Sequence, residues 1–142
     1  MKRQKIPLAI AKRVRNEARS RCGYCLTSET LIGMAMEFDH LLPHSEAGKT
    51  VEENLWLACR RCNEFKGSQI TALDLKTGNT IALFNPRLQI WAEYFKWSND
   101  GTEIIGITAC GRATVQALKL NHEIIVVARK MWVSVGWWPP LD

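Results

Sequence analysis

Residues 36–67 read MEFDHLLPHSEAGKTVEENLWLACRRCNEFKG, a stretch in which two short apolar segments flank a polar loop. The first segment, Met36 to Leu42, predicts a β-strand, and Pro43 limits its length because proline cannot donate to a strand ladder. His44 to Glu53 is polar and contains a glycine, which indicates a loop. We therefore expect a hairpin whose second strand follows this loop.

The second apolar segment, Leu55 to Ala58, predicts that strand. Arg60 to Lys66 then predicts a helix, and Gly67 directly after it is typical of a helix C-terminus. Upstream of the hairpin, Pro7 to Ser20 predicts a basic amphipathic helix, because apolar residues recur there at four-residue spacing. These apolar residues are Ile10, Val14 and Ala18.

Two Cys-x-x-Cys pairs, or knuckles, flank the predicted hairpin. They are Cys22 with Cys25 and Cys59 with Cys62. Each knuckle can bring two thiolates to about 2.3 Å from one ion, so the spacing favours a structural, tetrahedral Zn²⁺. Buried unligated cysteines, a redox pair and an iron site of rubredoxin type are the alternatives. Cys110 has no partner motif, and we expect it in the core.

The net charge of +5 conceals opposite charges in neighbouring segments. Residues 1–21 contain eight basic residues and one acidic residue, a net charge of +7. Residues 29–53 contain six acidic residues and one basic residue, a net charge of −5. A basic face beside an acidic, metal-attracting loop suits a polyanionic substrate handled with a cation. The basic stretch is equally compatible with a solvated helix face.

Asp39, His40 and Asn63 offer the groups that phosphodiester hydrolysis requires. The reaction needs a base to activate water and a hard cation to neutralise charge on the phosphate. A carboxylate and an amide carbonyl suit Mg²⁺, and an imidazole can accept the proton near neutral pH. Adjacent strand residues point to opposite faces, so Asp39 and His40 can share a site only where the strand ends or twists. Lys66, one helical turn after Asn63, could reach a phosphate.

The joint motif resembles that of the HNH endonuclease family. It consists of Glu37 to Pro43 followed by Glu53 to Gly67, and the resemblance covers roughly residues 7–69. It implies an α+β fold with a ββα-metal (His-Me finger) core and two zinc knuckles. The resemblance also implies hydrolysis of DNA to 5′-phosphate and 3′-hydroxyl ends, with RNA as an alternative substrate.

The resemblance assigns roles to four polar residues of the motif. His40 would be the general base, and Asn54 would hold the loop that orients His40. Asp39 and Asn63 would bind the catalytic metal. Many members of the family have histidine where this chain has Asn63, although active His-Asn-Asn forms exist. Because oxygen ligands prefer hard cations, this departure favours Mg²⁺ or Mn²⁺.

We expect basic residues of the first helix and of the helix after the second knuckle to hold the nucleic-acid backbone. These residues are Arg13, Arg60, Arg61 and Lys66. His44 is expected to be a loop residue or a phosphate contact. The rival hypothesis is a non-catalytic zinc module that binds DNA or RNA, for which Asp39 and His40 would be superfluous. The oligomeric state is left open.

Residues 70–142 are expected to form a C-terminal α/β extension packed on a nuclease core of residues 1–69, as a single compact unit. Turn signals at Lys76 to Asn79 and at Ser98 to Gly101 predict two hairpins. Helices are predicted from a Thr108 cap to about Leu118 and from Glu123 to Trp132. Most tryptophans there are expected in the core.

Three further expectations concern single features of the chain. Arg87 and Arg112 are candidates for phosphate contacts or for intramolecular carboxylate contacts. The apolar stretch near the N-terminus is too short for a signal peptide or a membrane span. The expected compartment is therefore a reducing cytosol, which agrees with reading the cysteines as metal ligands.

Overall fold

The structure of the protein is a computed structural model that describes residues 5–141. It contains both α-helices and β-strands. The chain divides into two compact units. Unit 1 contains Met1–Ile70 and Asn85–Leu88, and unit 2 contains Thr71–Phe84 and Gln89–Asp142. The expected packing of residues 70–142 on the nuclease core stays a prediction. Within residues 5–141, no helix has both the length and the apolar character needed to cross a membrane.

Helix α1 (Leu8–Glu17) begins unit 1 directly after Pro7, whose fixed φ suits the start of a helix. Val14 is completely buried, as the spacing of apolar residues predicts. The predicted helix end at Ser20 is wrong. Arg19 and Ser20 have φ angles of 56° and 55°, which is left-handed backbone that cannot continue an α-helix.

Strands β1 (Glu37–His40) and β2 (Leu55–Ala58) form the predicted antiparallel hairpin. Strand β1 is shorter than the predicted Met36 to Leu42, because side chains take over the backbone N–H groups at both ends. Met36 donates to the carboxylate of Glu29, and the N–H of Leu42 donates to the side chain of Asn54.

Helix α3 (Arg60–Lys66) follows β2 and ends at Gly67, whose φ is 53°, as predicted. Helix α2 (Glu29–Ile32) was not predicted and lies between the first knuckle and β1. It is a single turn whose start is capped by Ser28, which accepts a hydrogen bond from the N–H of Leu31 at 3.1 Å.

The loop between β1 and β2 contains two short 3-10 turns, His44–Glu46 and Glu52–Asn54, rather than irregular chain throughout. Gly48 packs so tightly in this loop that a Cβ atom there would collide with the carbonyl oxygen of Leu42. The loop is therefore compact, which matters because it begins directly after His40 and Leu41.

Unit 2 contains both predicted hairpins and both predicted helices. The hairpins are β3 (Thr71–Leu73) with β4 (Thr80–Ala82) and β5 (Phe95–Trp97) with β6 (Ile104–Gly106). The helices are α4 (Ala109–Ala117), capped by Thr108, and α5 (Glu123–Ser134), two residues longer than predicted.

A series of tryptophan rings runs through unit 2. Trp97 lies between Trp91 and Trp138, with ring centroids 5.1 and 5.0 Å away, and Trp138 also contacts Trp132 at 5.3 Å. Trp138 is 6% exposed, so this part of the C-terminus packs within unit 2. Trp137 is 65% exposed, and Cys110 is half-buried rather than in the core.

Candidate active site and metal centre

Four buried cysteines form a cluster in unit 1. The Sγ atoms of Cys22, Cys25, Cys59 and Cys62 all lie within 4.8 Å of one another, and those of Cys25 and Cys59 are 3.7 Å apart. Four sulfurs at about 2.3 Å from a tetrahedral zinc ion would be separated by roughly 3.8 Å. The donor set and its spacing therefore fit a structural zinc ion, as predicted.

The thiols of this cluster affect one another strongly. Hydrogen bonding from Cys22 and the other two neighbours holds the pKa of the Cys25 thiol well below its usual range. Burial raises the pKa of Cys22, and hydrogen bonding with Cys22 raises that of Cys62. Deprotonation of all four buried thiols requires a cation, and zinc supplies that charge in closed sites of this type.

The first knuckle is hydrogen-bonded to β2 of the hairpin, and the second knuckle caps helix α3. The backbone N–H of Gly23 donates to the carbonyl of Leu57 in β2 at 2.9 Å. A Cβ atom on Gly23 would collide with the indole of Trp56, so only glycine permits this approach. In the second knuckle, the side chain of Cys59 accepts from the N–H of Cys62 and caps α3.

Asp39 is a buried carboxylate in β1 with a partner on each oxygen. The Tyr24 hydroxyl donates to Oδ2 at 2.6 Å, and the Lys66 ammonium donates to Oδ1 at 3.1 Å. The Asp39 and Lys66 side chains are each 3% exposed, so they form a buried ion pair. Burial, and then the charge of Asp39, raise the pKa of the Tyr24 phenol well above its usual range, which keeps it a donor.

His40 is the last residue of β1 and is half-buried. Its Nε2 lies 2.8 Å from the hydroxyl oxygen of Thr50. Its ring centroid lies 4.7 Å from that of the exposed His44. The strand thus ends at His40, which is the condition under which adjacent Asp39 and His40 can serve one site.

The side chain of Asn54 ties together the two ends of the loop that follows His40. Its Oδ1 accepts from the N–H of Leu42 at 2.7 Å. Its Nδ2 donates to the carbonyls of Leu42 and Lys49 at 2.9 and 2.8 Å. This asparagine acts on the loop backbone and uses both its donor and its acceptor groups to do so.

Helix α3 lies along one face of β1. Glu37 and Asp39 are two residues apart and share that face, while Asn63 and Lys66 are three apart on one side of the helix. Nδ2 of Asn63 donates to Glu37 at 2.8 Å, whereas Lys66 meets Asp39. The structure therefore brings Lys66, and not Asn63, into direct hydrogen bonding with the predicted metal-binding carboxylate.

The basic residues predicted to contact nucleic acid differ in their surroundings. Arg13 pairs with Glu52 at 2.7 Å, and Arg60 pairs with its helical neighbour Glu64 at 3.4 Å. The guanidinium of Arg61 lies 5.5 Å from the Phe65 ring centroid. Lys66 is buried against Asp39, which disfavours a phosphate contact in this conformation. The nucleic-acid contacts stay predictions.

The two arginines with an open assignment both make intramolecular contacts. Arg87 donates to Glu17 at 3.0 Å and to the carbonyl of Leu55, and its guanidinium lies over the Trp56 ring. In unit 2, Arg112 forms a two-pronged pair with Asp74. These geometries favour the carboxylate alternative over the phosphate alternative.

Sequence reasoning missed three polar residues near the predicted site. Tyr24 contacts Asp39, Thr50 contacts His40, and Glu37 contacts Asn63. The period of two along β1 places Glu37 on the face of Asp39 and could have indicated it. Tyr24 and Thr50 lie in a knuckle and a loop, where no periodicity reports side-chain direction.

The comparisons with known proteins give one match. No curated protein and no solved structure matches the chain, whereas the family model for HNH endonucleases matches residues 22–69. That segment begins at the first cluster cysteine and includes the β1–β2 hairpin and α3. The resemblance expected over residues 7–69 is thus confirmed from residue 22 onward. Residues 22–69 thus match an HNH endonuclease domain, and the four-cysteine cluster is consistent with a zinc-binding variant of that family.

Proposed function

We propose that this protein is a metal-dependent endonuclease that hydrolyses DNA phosphodiester bonds. The observation that carries the proposal is the end of β1, where a half-buried His40 directly follows a buried carboxylate and opens a loop pinned by Asn54. A half-buried imidazole next to a buried carboxylate suits hydrolysis in which a base activates water and a cation assists.

His40 is the proposed general base, which takes a proton from the attacking water. Two features support a fixed orientation of its ring. Thr50 holds Nε2 at hydrogen-bond distance, and Asn54 restrains the loop that contains Thr50 and begins after His40. A base must be within hydrogen-bond reach of the water that it activates, so restraint of this loop serves the chemistry directly.

Asp39 and Asn63 are the proposed ligands of Mg²⁺ or Mn²⁺. A metal ion on Asp39 would have to share Oδ1 with the Lys66 ammonium or displace it. With Nδ2 of Asn63 directed at Glu37, its Oδ1 is the side-chain atom left to act as a ligand. Both donors are hard oxygens, which fits these ions. The bound ion would supply charge neutralisation at the phosphate and at the leaving oxygen.

Zinc on the four cysteines has a structural role in this proposal, and β1, β2 and α3 form a ββα-metal core. The second knuckle caps α3 and therefore holds the helix that presents both Asn63 and Lys66 to β1. Arg60 and Arg61 on α3, together with Arg13, are the proposed contacts to the backbone of DNA. Arg13 forms an ion pair with Glu52, so it would have to break that pair or share its charge between Glu52 and a phosphate.

A non-catalytic zinc module that binds nucleic acid is the second candidate. It is favoured by one observation, the hydrogen bonds that Tyr24 and Lys66 donate to the two oxygens of Asp39. A carboxylate in such a pair can be purely structural. Against this candidate stands His40, because binding of nucleic acid alone does not require a restrained imidazole at this position.

Plasmid cleavage distinguishes the candidates. We expect the wild type to nick or cut plasmid DNA with Mg²⁺ or Mn²⁺ and to stop with EDTA. The variant His40→Ala should lose about 10²- to 10⁴-fold in rate, the usual contribution of a general base. His44→Ala is the matched control, since it removes a neighbouring imidazole. Undiminished cleavage by His40→Ala would refute the base assignment. A wild type that cuts neither DNA nor RNA with any divalent ion would refute the nuclease proposal and favour the binding module.

A further inference from the structure

Tyr24 lies inside the first knuckle, between two cluster cysteines, and is completely buried. Its hydroxyl donates to Oδ2 of Asp39 at 2.6 Å, a distance typical of a charge-assisted O–H···O⁻ bond. The phenol thus links the structural metal cluster to the carboxylate that we assign to the catalytic cation. The other Asp39 oxygen, Oδ1, is the one in contact with the Lys66 ammonium.

The backbone on both sides of Tyr24 is fixed. Cys22 and Cys25 place their Sγ atoms in the cluster, and the N–H of Tyr24 lies 3.4 Å from Sγ of Cys22. Gly23 is hydrogen-bonded to Leu57 of β2 and packs against the Trp56 indole. A side chain that starts from so rigid a turn has little freedom to point elsewhere.

The chemistry of the contact explains what this rigidity can do. Tyrosine has two rotatable side-chain angles, so a fixed backbone leaves its hydroxyl well defined. A directional bond to Oδ2 hinders rotation of the carboxylate and keeps Oδ1 on the side where a cation already lies. Such outer partners of metal ligands set ligand orientation and commonly change metal affinity when they are removed.

We propose that Tyr24 is a positioning residue that couples the four-cysteine cluster to the catalytic cation site by orienting Asp39. The proposal rests on the proposed function, because it takes Asp39 as a ligand of the catalytic ion. It assigns the first knuckle a task in catalysis beyond stability. Tyr24 itself contacts neither substrate nor ion in this scheme.

The test compares Mn²⁺ binding by zinc-loaded, full-length wild type and Tyr24→Phe, measured by electron paramagnetic resonance of free Mn²⁺. We expect Tyr24→Phe to retain its zinc and to bind Mn²⁺ about 10- to 100-fold more weakly. Raised Mn²⁺ should restore most of its cleavage rate. Tyr94→Phe is the matched control, because it removes the phenol hydroxyl that accepts from Gln89 in unit 2, and it should behave as wild type.

Asp39→Asn provides the reference that separates this inference from the proposed function. If Asp39→Asn weakens Mn²⁺ binding and Tyr24→Phe does not, the positioning role is overturned while the cation site stands. If wild type and Asp39→Asn bind Mn²⁺ equally, the cation site fails, and the inference fails with it. Loss of zinc from Tyr24→Phe would make the residue a structural part of the cluster and would also overturn the proposal.

Discussion

Two ion pairs illustrate how the same charges contribute differently in different surroundings. Lys66 and Asp39 are both buried, each with 3% of the side chain exposed. Arg60 and Glu64 lie one helical turn apart on α3, with 69% and 65% exposed. Water screens the second pair, so it contributes little to stability. In the first pair, loss of either partner leaves an uncompensated charge in the interior.

Lys66→Met should therefore destabilise the zinc-loaded protein by about 3–5 kcal/mol, because the buried Asp39 carboxylate keeps only Tyr24 as a partner. Urea denaturation measures this loss. The control, Arg60→Ala, should cost about 0.2–1 kcal/mol through its ion pair. The double variant Lys66→Met/Asp39→Asn should recover much of the stability. A loss no larger than that of the control would contradict the picture of a buried charge pair.

The pair of Asp74 with Arg112 predicts an acid sensitivity in unit 2. Hydrogen bonds from Arg112 hold the pKa of Asp74 well below its usual value of 3.8. A depressed carboxyl pKa contributes stability that is complete above 3.8 and is lost as the pH falls toward the folded-state pKa. The free energy of unfolding of the wild type should thus decline as the pH falls below 3.8. In Asp74→Asn the same decline should be less steep. Equal slopes, measured by denaturation across acid pH, would contradict the prediction.

At the scale of the element, α3 depends on its surroundings. It has seven residues, which is too short for an isolated helix to be stable in water. Its first turn is capped by Cys59, a cluster cysteine, and Cys62 in the same turn is another. The cluster therefore stabilises a helix that is too short to be stable alone. Helix α3 in turn positions Lys66 against Asp39.

Removal of zinc should release α3 before it affects the helices of unit 2. After chelation, hydrogen exchange followed by mass spectrometry should show loss of protection at Arg60–Lys66. Protection of α5 (Glu123–Ser134) should persist, because that longer helix contains no cluster cysteine. Metal analysis must verify that zinc is gone. Retained protection of α3 in the zinc-free protein would show that packing alone stabilises it.

At the scale of the whole molecule, charge is divided unequally between the units. Unit 1 contains 13 basic and 8 acidic residues, whereas unit 2 contains 6 of each. The entire net charge of +5 thus belongs to the unit with the HNH domain. A polyanion should accordingly be attracted to unit 1 and hardly at all to unit 2.

DNA affinity should fall steeply with salt, because each neutralised phosphate releases counterions. Arg60→Ala and Arg61→Ala should each reduce the slope of log K against log salt by about 1. Lys130→Ala is the control, since Lys130 is exposed on α5 in the neutral unit. Fluorescence anisotropy at several salt concentrations provides the slopes. An equal effect of Lys130→Ala would place the nucleic-acid contact outside the HNH domain.

Local patterns in the chain were sufficient to predict several elements and residue groups. The cysteine spacing predicted the cluster, and the apolar segments around Asp39 and Asn54 predicted the hairpin. Gly67 predicted the end of α3. Turn signals predicted both hairpins of unit 2. These features depend on neighbours close along the chain, where spacing and propensity act directly.

Contacts between distant segments required the folded structure. Tyr24 meets Asp39 across 15 positions, and Lys66 meets it across 27. The direction of each side chain depends on how a knuckle, a strand and a helix pack, which no local pattern specifies. The residue types thus predicted a carboxylate, a base and a zinc cluster. Packing determined that Lys66 and Tyr24 hold that carboxylate, because a buried charge takes whichever partners the surrounding elements bring within reach.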